Sequence, residues 1–328
     1  MHKGNAAELA VAVYDILNRM SDEQHLISMP SLQALLNEEG IEANRQTVYK
    51  AISILNDHGF DISFHKERGI QGYCIAHPLT QTEAFVLINA VQESASLSKK
   101  ASAELIERIK GLISEPSADA LPETLPAAGK RDDDGIMQSI TLLIKAVSEH
   151  KPVEFLYYDI TVTKQKKYRR NSRIYHMIPY AVIARSGLYY CIFYSEEHQS
   201  FANYRIDKLD HLAILEEEES VHVRFSLEEH IRSSFEMFTG DAETVTIRFS
   251  SDLANAVFDR FGTEIIISEA GNDWFTANIR TAVTPTLISW LLQFYDRCCV
   301  LRPQSLIDRL LLISDAIAKT YRGDNNDE

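Results

Sequence analysis

From residue 152 the apolar period of this chain changes from that of a helix to that of a strand. Before that point, apolar residues recur mainly at spacings of three and four. After it, runs of β-branched and aromatic residues alternate with polar ones. The change predicts helix-rich and strand-rich regions that follow one another, hence an α+β, multidomain chain. The length of 328 residues agrees, being long for one domain.

In the segment 6–20, Leu9, Val13, Ile16, Leu17 and Met20 share one helical face. A shorter helix is expected over 31–39, capped by Ser31. A third is expected over 44–58, with Asn44 as cap, Val48, Ile52 and Leu55 as its buried stripe, and Gly59 as its stop. Two short alternating segments follow, at 61–64 and 72–75, around the turn His65–Gly69. Three helices and a hairpin over 1–78 make the winged helix-turn-helix plan. In that plan the N-terminal end of the third helix enters the major groove. Here it carries Asn44, Arg45, Gln46, Thr47, Tyr49 and Lys50, and Arg, Asn and Gln are the side chains that read base edges. Lys66 and Arg68 in the hairpin are placed to hold phosphate. The competing reading is a small helical interaction domain with ordinary solvated polar residues. A net charge of −4 over 1–78 favours that alternative.

Residues 79–135 read as a helical linker. A helix over 82–113 starts from the Thr80–Glu83 signal, and a Pro- and Gly-punctuated loop at 115–135 carries Asp132–Asp134. A helix at 136–149 opens the next region. Strands are expected at 153–158, 175–183, 188–194 and 202–206, with Ser186-Gly187 as a turn, which together suggest a small barrel over 136–220. A linker at 221–239 follows. Over 240–328 the order is β-α-β-β-α-β, with strands at 244–250, 264–268, 273–281 and 298–301 and helices at 251–261, 284–295 and 304–321. That order is ferredoxin-like with an added C-terminal helix.

The net charge of −14 hides a local reversal. Residues 151–210 hold 10 Lys+Arg against 6 Asp+Glu, while every other region is acidic. The run KQKKYRRNSR (164–173) contributes Lys164, Lys166, Lys167, Arg169, Arg170 and Arg173. Tyr157, Tyr158, Tyr168, Tyr175, Tyr180, Tyr189, Tyr190 and Tyr204 surround it in sequence. Cations interleaved with aromatics suit nucleotides and single strands, because phosphates need charge and bases need π-faces. Strands also use Tyr for packing alone, so both readings stand at this point.

No GxSxG, P-loop, GxGxxG or HExxH is present, and the scattered His and Cys lack metal-ligand spacing. The expectation is a binding protein that is not an enzyme and holds no metal or cofactor. Vicinal Cys298-Cys299 is read as structural. Four Cys without a CxxC pair, no apolar run of spanning length and no secretory leader point to a cytoplasmic protein with no membrane partner.

The order of these weak signals resembles the bacterial WYL-domain transcriptional regulators along nearly the whole chain. Asn44–Ile52 with Leu55 and Gly59 looks like that family's recognition helix, and Gly72–Ile75 like the end of its wing. Val153–Tyr157, His176–Tyr180, Gly187–Cys191 and Tyr204–Leu209 look like its Sm-like or SH3-like WYL barrel. Val245–Phe249, Leu287–Phe294 and Leu301–Leu306 resemble its C-terminal extension. The naming Trp-Tyr-Leu is Tyr189-Tyr190-Cys191 here. Lys208 stands where a second Arg would follow Arg205, and Tyr295-Asp296 stands where a Gly is frequent. The resemblance implies a homodimeric regulator of double-stranded operator DNA. Its barrel would bind an anionic effector, single-stranded nucleic acid or nucleotide-like. The matching positions are His176, Tyr190, Arg205 and Lys208 with Tyr157 nearby, joined by Tyr189 and by Arg169, Arg170 and Arg173 of the basic run. The alternative function is an RNA- or protein-binding adaptor without sequence-specific duplex binding.

Overall fold

Helix α1 (Ala6–Met20) buries Val13, Ile16 and Leu17 against α2 (Met29–Glu38) and α3 (Arg45–Asp57). The computed structural model describes residues 6–67, 69–124, 130, 135–216, 223–233 and 242–322. The chain divides into two compact units, residues 1–137 and 138–328.

Helix α2 starts earlier than the sequence suggested, and its cap is Ser28 instead of Ser31. The Ser28 hydroxyl accepts the Ser31 N–H at 3.2 Å. Pro30 falls in the first turn, where its missing N–H costs no helical bond. Helix α3 begins as expected, with Asn44 Oδ1 accepting the Thr47 N–H at 3.0 Å. Its C-cap is His58, and Gly59 follows at φ +90°, a conformation that glycine adopts without steric cost. Strands β1 (Ile62–Glu67) and β2 (Ile70–Ile75) form the antiparallel hairpin. A third segment joins it. Ile27 N–H donates to Tyr73 O at 2.9 Å and Tyr73 N–H donates back to Ile27 O at 2.8 Å, so the hairpin is stitched to the turn before α2.

The expected helix over 82–113 is two helices, α4 (Gln81–Glu93) and α5 (Lys99–Lys110). The break comes at a serine-rich stretch. Ser98 caps α5 by accepting the Ala101 N–H at 3.0 Å, and Leu97 is buried. Thr80 and Glu83 form a full capping box at the start of α4. The loop expected from 115 begins instead with a short helix, α6 (Glu115–Asp119), while Asp132–Asp134 lie outside the described residues. Lys130 is buried, donating to Val91 O at 2.9 Å and to Ser102 Oγ at 2.5 Å.

Asp22 ties the start of this unit to its end. Its carboxylate accepts from the Gln24 and His25 N–H groups and from the hydroxyls of Ser114 and Ser117. Burial alone would raise its pKa. The bonds from Ser114, Ser117, His25 and Gln24 outweigh that and hold it well below the usual carboxylate range. A depressed folded-state pKa gives stability that is complete above the unfolded value near 4 and is lost as pH falls toward the folded value. Urea melts of wild type and Asp22→Asn should therefore differ most at pH 7, with a gap that is smaller but still open at pH 3. An equal gap at both pH values would mean that the carboxylate charge contributes nothing.

Helix α7 (Gly135–Glu149) leads into the second unit. There β3 (Val153–Ile160), β4 (Lys166–Tyr168), β5 (Tyr175–Arg185), β6 (Leu188–Ser195), β7 (Ser200–Arg205) and β8 (Leu209–Ile214) form one antiparallel sheet. Its order is β8-β3-β5-β6-β7, with β4 an appendage on the far end of β3. A single 3-10 turn, Ile206–Lys208, joins the last two strands. That is the order of an SH3- or Sm-like barrel, and the sheet curls as a half-barrel around Phe155 and Phe193. Ser186 and Gly187, both at positive φ, make the tight turn the sequence signalled. Sequence reading missed two strands. In β8 the alternation is broken by His211 at φ +52° beside a register shift, and β4 has three residues with no apolar alternation.

After α8 (Leu227–Ser233) come β9 (Ala242–Ser250), α9 (Ala254–Phe261), β10 (Ile266–Ala270), β11 (Trp274–Ala282), α10 (Pro285–Leu292), β12 (Cys298–Arg302) and α11 (Gln304–Arg322). The sheet order β10-β11-β9-β12, all antiparallel, is that of a ferredoxin-like fold. One sheet face, with Val245, Ile247, Phe249, Phe275, Ala277 and Ile279, packs on Val257, Leu287, Ile288, Leu291 and Leu306 of the helices. No described helix is long and apolar enough to cross a membrane.

Candidate functional site

On α3 the side chains of Arg45, Gln46, Tyr49 and Lys50 are exposed on the side opposite Val48, Ala51 and Leu55. Asn44 and Thr47 are exposed too, but they close the helix end on each other. Thr47 Oγ1 donates to Asn44 O at 2.7 Å in addition to the cap bond. Arg45 Nε donates to the Tyr49 hydroxyl at 2.8 Å, and its guanidinium lies 5.3 Å from the centre of that ring. Tyr49 in turn meets Tyr73 of the hairpin, ring centres 6.3 Å apart, and Tyr73 meets Phe64 at 5.0 Å. An aromatic chain thus fixes the angle between α3 and the hairpin. Burial and the bond to Tyr49 push the Tyr73 phenol up to about 12. Lys66 is exposed on β1, opposite Gln71. Arg68 lies outside the described residues.

The barrel brings a second group together. Phe155, Tyr157, Tyr175, Phe193 and Tyr204 form one aromatic cluster. Phe155 stacks on Tyr175 at 5.2 Å and Tyr157 meets Tyr204 edge-on at 4.9 Å. Two arginines of the basic run cap it. The Arg169 guanidinium sits 5.1 Å over Tyr157, and that of Arg170 sits 4.9 Å over Tyr175. Local backbone strain holds them there. Arg170, Asn171 and Ser172 are all left-handed, at φ +50°, +53° and +63°, in a short 3-10 segment.

Six of the cations in this region, Lys166, Arg169, Arg170, Arg173, Arg205 and Lys208, have a carboxylate partner. Arg169 is bidentate to Asp159, at 2.7 and 3.0 Å, and Lys208 reaches the same group at 3.3 Å. Arg170 and Arg173 approach Glu197, at 4.0 and 3.6 Å, and Arg170 also meets His198 at 3.2 Å. Lys166 pairs with Asp210 at 2.8 Å, and the Tyr168 hydroxyl donates to it at 2.6 Å. Arg205 is bidentate to the buried Asp207, at 3.0 and 2.8 Å. The Arg169 bond, ahead of that from Lys208, holds Asp159 below the usual carboxylate range, and burial pushes the Tyr157 phenol up to about 12.

Of the nine barrel positions singled out in the sequence, Tyr157, Arg169, Arg205 and Lys208 are linked directly or through Asp159. The Tyr157 hydroxyl accepts the Arg205 N–H at 3.4 Å. Tyr190 stands opposite Arg205 in the ladder. Arg170 and Arg173 join through Glu197. His176 is exposed, opposite Glu154 and on the other face of β5 from Tyr175, and Tyr189 lies on the other face of β6 from Tyr190. Sequence reasoning missed the acidic half, Asp159, Asp207, Asp210 and Glu197. Its one signal was carboxylates at 207 and 210 beside Arg205 and Lys208. Among the described residues no group of three His, Cys, Asp or Glu is placed to hold a metal ion.

Two family models match the second unit. The WYL domain matches residues 138–214, the half-barrel with its leading helix, and the WCX domain matches residues 241–318, the ferredoxin-like sandwich. No curated protein matches the chain. Among solved structures, proteasome accessory factor B/C (PafBC) of Arthrobacter aurescens is 15% identical with a TM-score of 0.30. The alignment covers 98% of this chain and 50% of that one, so this chain spans half the length of that protein. A CRISPR Cas-related protein is 9% identical with a TM-score of 0.24, over 98% of this chain and 86% of that one. Likenesses this distant transfer no function. The two domain matches fall in the order, and on the folds, that the motifs implied: the chain carries a WYL domain followed by a WCX domain.

Proposed function

We propose that the chain binds duplex operator DNA through α3 and the hairpin, and that its barrel binds an anionic, nucleotide-like effector that modulates this. One observation carries the effector reading: Arg169 and Arg170 are laid on the faces of Tyr157 and Tyr175, each beside a carboxylate. A carboxylate and a phosphate accept the same two-pronged bond from a guanidinium. An effector phosphate can therefore take the places of Asp159 and Glu197, while a base finds an aromatic surface. Exchange of internal for external anions is also a switch, because it frees the loop positions that Asp159 and Glu197 hold. A switch needs the effector to prefer one arrangement, and a tenfold preference supplies about 1.4 kcal/mol.

The operator reading is tested by anisotropy of the full chain with duplex from the region upstream of its own gene, across a salt series. Binding should weaken steeply with salt. Arg45→Ala, which also releases Tyr49, should lower affinity at least tenfold. Lys66→Ala should lower it less and flatten the salt slope by about one. Duplex binding absent in the wild type, or unchanged in Arg45→Ala, sinks the operator reading and favours the adaptor. For the barrel, thermal shift with a panel of nucleoside di- and triphosphates should stabilise the wild type. Arg169→Ala/Arg170→Ala should not respond.

A further inference from the structure

The first turn of α3 holds one arginine in a fixed attitude. Arg45 Nε donates to the Tyr49 hydroxyl one helical turn on, at 2.8 Å, and the guanidinium lies 5.3 Å from that ring centre. Both side chains are exposed, so burial does not hold them there. Among the described residues no carboxylate pairs with Arg45. Yet residues 1–78 hold 10 Asp+Glu against 6 Lys+Arg. Arg19 of the same unit, by contrast, bonds Asp15 at 3.0 Å and Glu39 at 3.1 Å.

A guanidinium carries N–H donors and no acceptor. Here Nε is spent on Tyr49, and the two Nη groups bond no described residue, so that end is the part left for a ligand. The Tyr49 oxygen is committed as well. It accepts from Arg45 and from the Tyr73 hydroxyl, and both bonds pull the Tyr49 phenol below its ordinary value, that from Arg45 the more. What Tyr49 has left is its own O–H. This end of α3 therefore presents donors only. In the major groove, guanine sets two acceptors side by side, N7 and O6. Adenine places a donor beside its N7, cytosine presents a donor, and thymine presents one acceptor and a methyl group.

We propose that Arg45 reads the major-groove edge of a guanine in the operator, with Tyr49 as the residue that positions it. The proposal rests on the operator reading above and adds which base this end of the helix selects. A phosphate needs charge, which an unrestrained Lys or Arg supplies in many attitudes. N7 and O6 lie in the plane of the base, and a fork meets both only when its own plane is set. The bond to Tyr49 sets that plane before DNA arrives, so less side-chain freedom is lost on binding. Tyr49 is in turn seated against Tyr73, and Tyr73 against Phe64. The hairpin thereby supports the base contact made from α3.

The test selects duplexes bound by the full chain from a library with a randomised core, and compares wild type with Arg45→Ala and Tyr49→Phe. Wild type should enrich a motif with a guanine position that Arg45→Ala flattens while the other positions stay. The preference for guanine there should be about tenfold or more, as one bidentate pair supplies. On the selected duplex, 7-deazaguanine at that position lacks the N7 acceptor and should weaken wild-type binding. Inosine keeps N7 and O6 and should not. Arg45→Ala should bind the guanine and 7-deazaguanine duplexes alike. Tyr49→Phe keeps the ring and removes the acceptor. It should lower the guanine preference about threefold or more, with the salt slope and melting temperature held. If Tyr49→Phe weakens all duplexes alike, or leaves the guanine preference intact, the positioning role is overturned. If Arg45→Ala flattens no guanine position and lowers the salt slope by about 0.9, Arg45 is a phosphate contact. That result overturns the proposal and leaves the operator reading standing. If wild type enriches no duplex, the operator reading fails and the guanine contact fails with it.

Discussion

Replacing Gly72 by Ala is expected to loosen the hairpin from the helices and to lower duplex affinity about tenfold or more. Gly72 faces the turn before α2 at a distance that excludes a side chain. A Cβ there would lie 2.7 Å from Ile27 O and 2.8 Å from Ile27 C, both backbone atoms that cannot rotate aside. The strand must move or the two bonds between Ile27 and Tyr73 must lengthen. Forced shifts of this kind cost about 1–3 kcal/mol. The same movement displaces Tyr73, which orients Tyr49 and through it Arg45, so a change in the hairpin is felt on the proposed DNA-binding surface. Amide exchange at Ile27 and Tyr73 should accelerate before the unit as a whole unfolds. Gly69→Ala is the control. Its Cβ would meet nothing, and only its φ of +88° resists the change, at about 1 kcal/mol. Equal melts for the two variants would rule out close approach as the reason glycine stands at 72.

How much of this was legible depends on which interactions the sequence pattern carries. Both plans, three helices with a hairpin and β-α-β-β-α-β, follow from period and turn chemistry, because Leu9, Val13 and Leu17 or Val245, Ile247 and Phe249 state their face directly. Short or irregular elements do not. In β8 one left-handed residue, His211, inverts the alternation, and the break between α4 and α5 lies in residues that fit either a helix or a cap. Positions of cations were visible, but their partners were not. Asp159 sits ten residues before Arg169 and 49 before Lys208, and a pairing across strands leaves no mark in composition. Asn44 and Thr47 carry two signals at once, and the cap expected at Asn44 is the one the structure shows. Their residue types suit base reading, yet their local bonds make them the helix cap.

Arg205→Ala should destabilise the barrel as well as weaken effector binding, and separating the two effects decides what Arg205 does. Asp207 has a side chain only 4% exposed and receives both prongs of the Arg205 guanidinium, which is 29% exposed. Removing one partner of a fully buried pair costs about 3–5 kcal/mol, chiefly because the other charge is left behind. Partial exposure of Arg205 lowers the figure to about 2 kcal/mol. Asp207→Ala should be less severe, since an unpaired guanidinium can turn to water. The double variant should lie near the milder single, giving a coupling of about 1–2 kcal/mol in urea melts. Arg205→Lys keeps the charge and loses the two-pronged geometry. If Arg205 serves only Asp207, nucleotide-induced stabilisation will survive in Arg205→Lys and in the double variant once the altered baseline is subtracted. If Arg205 also holds the effector, both will lose the ligand shift although the double variant has regained stability.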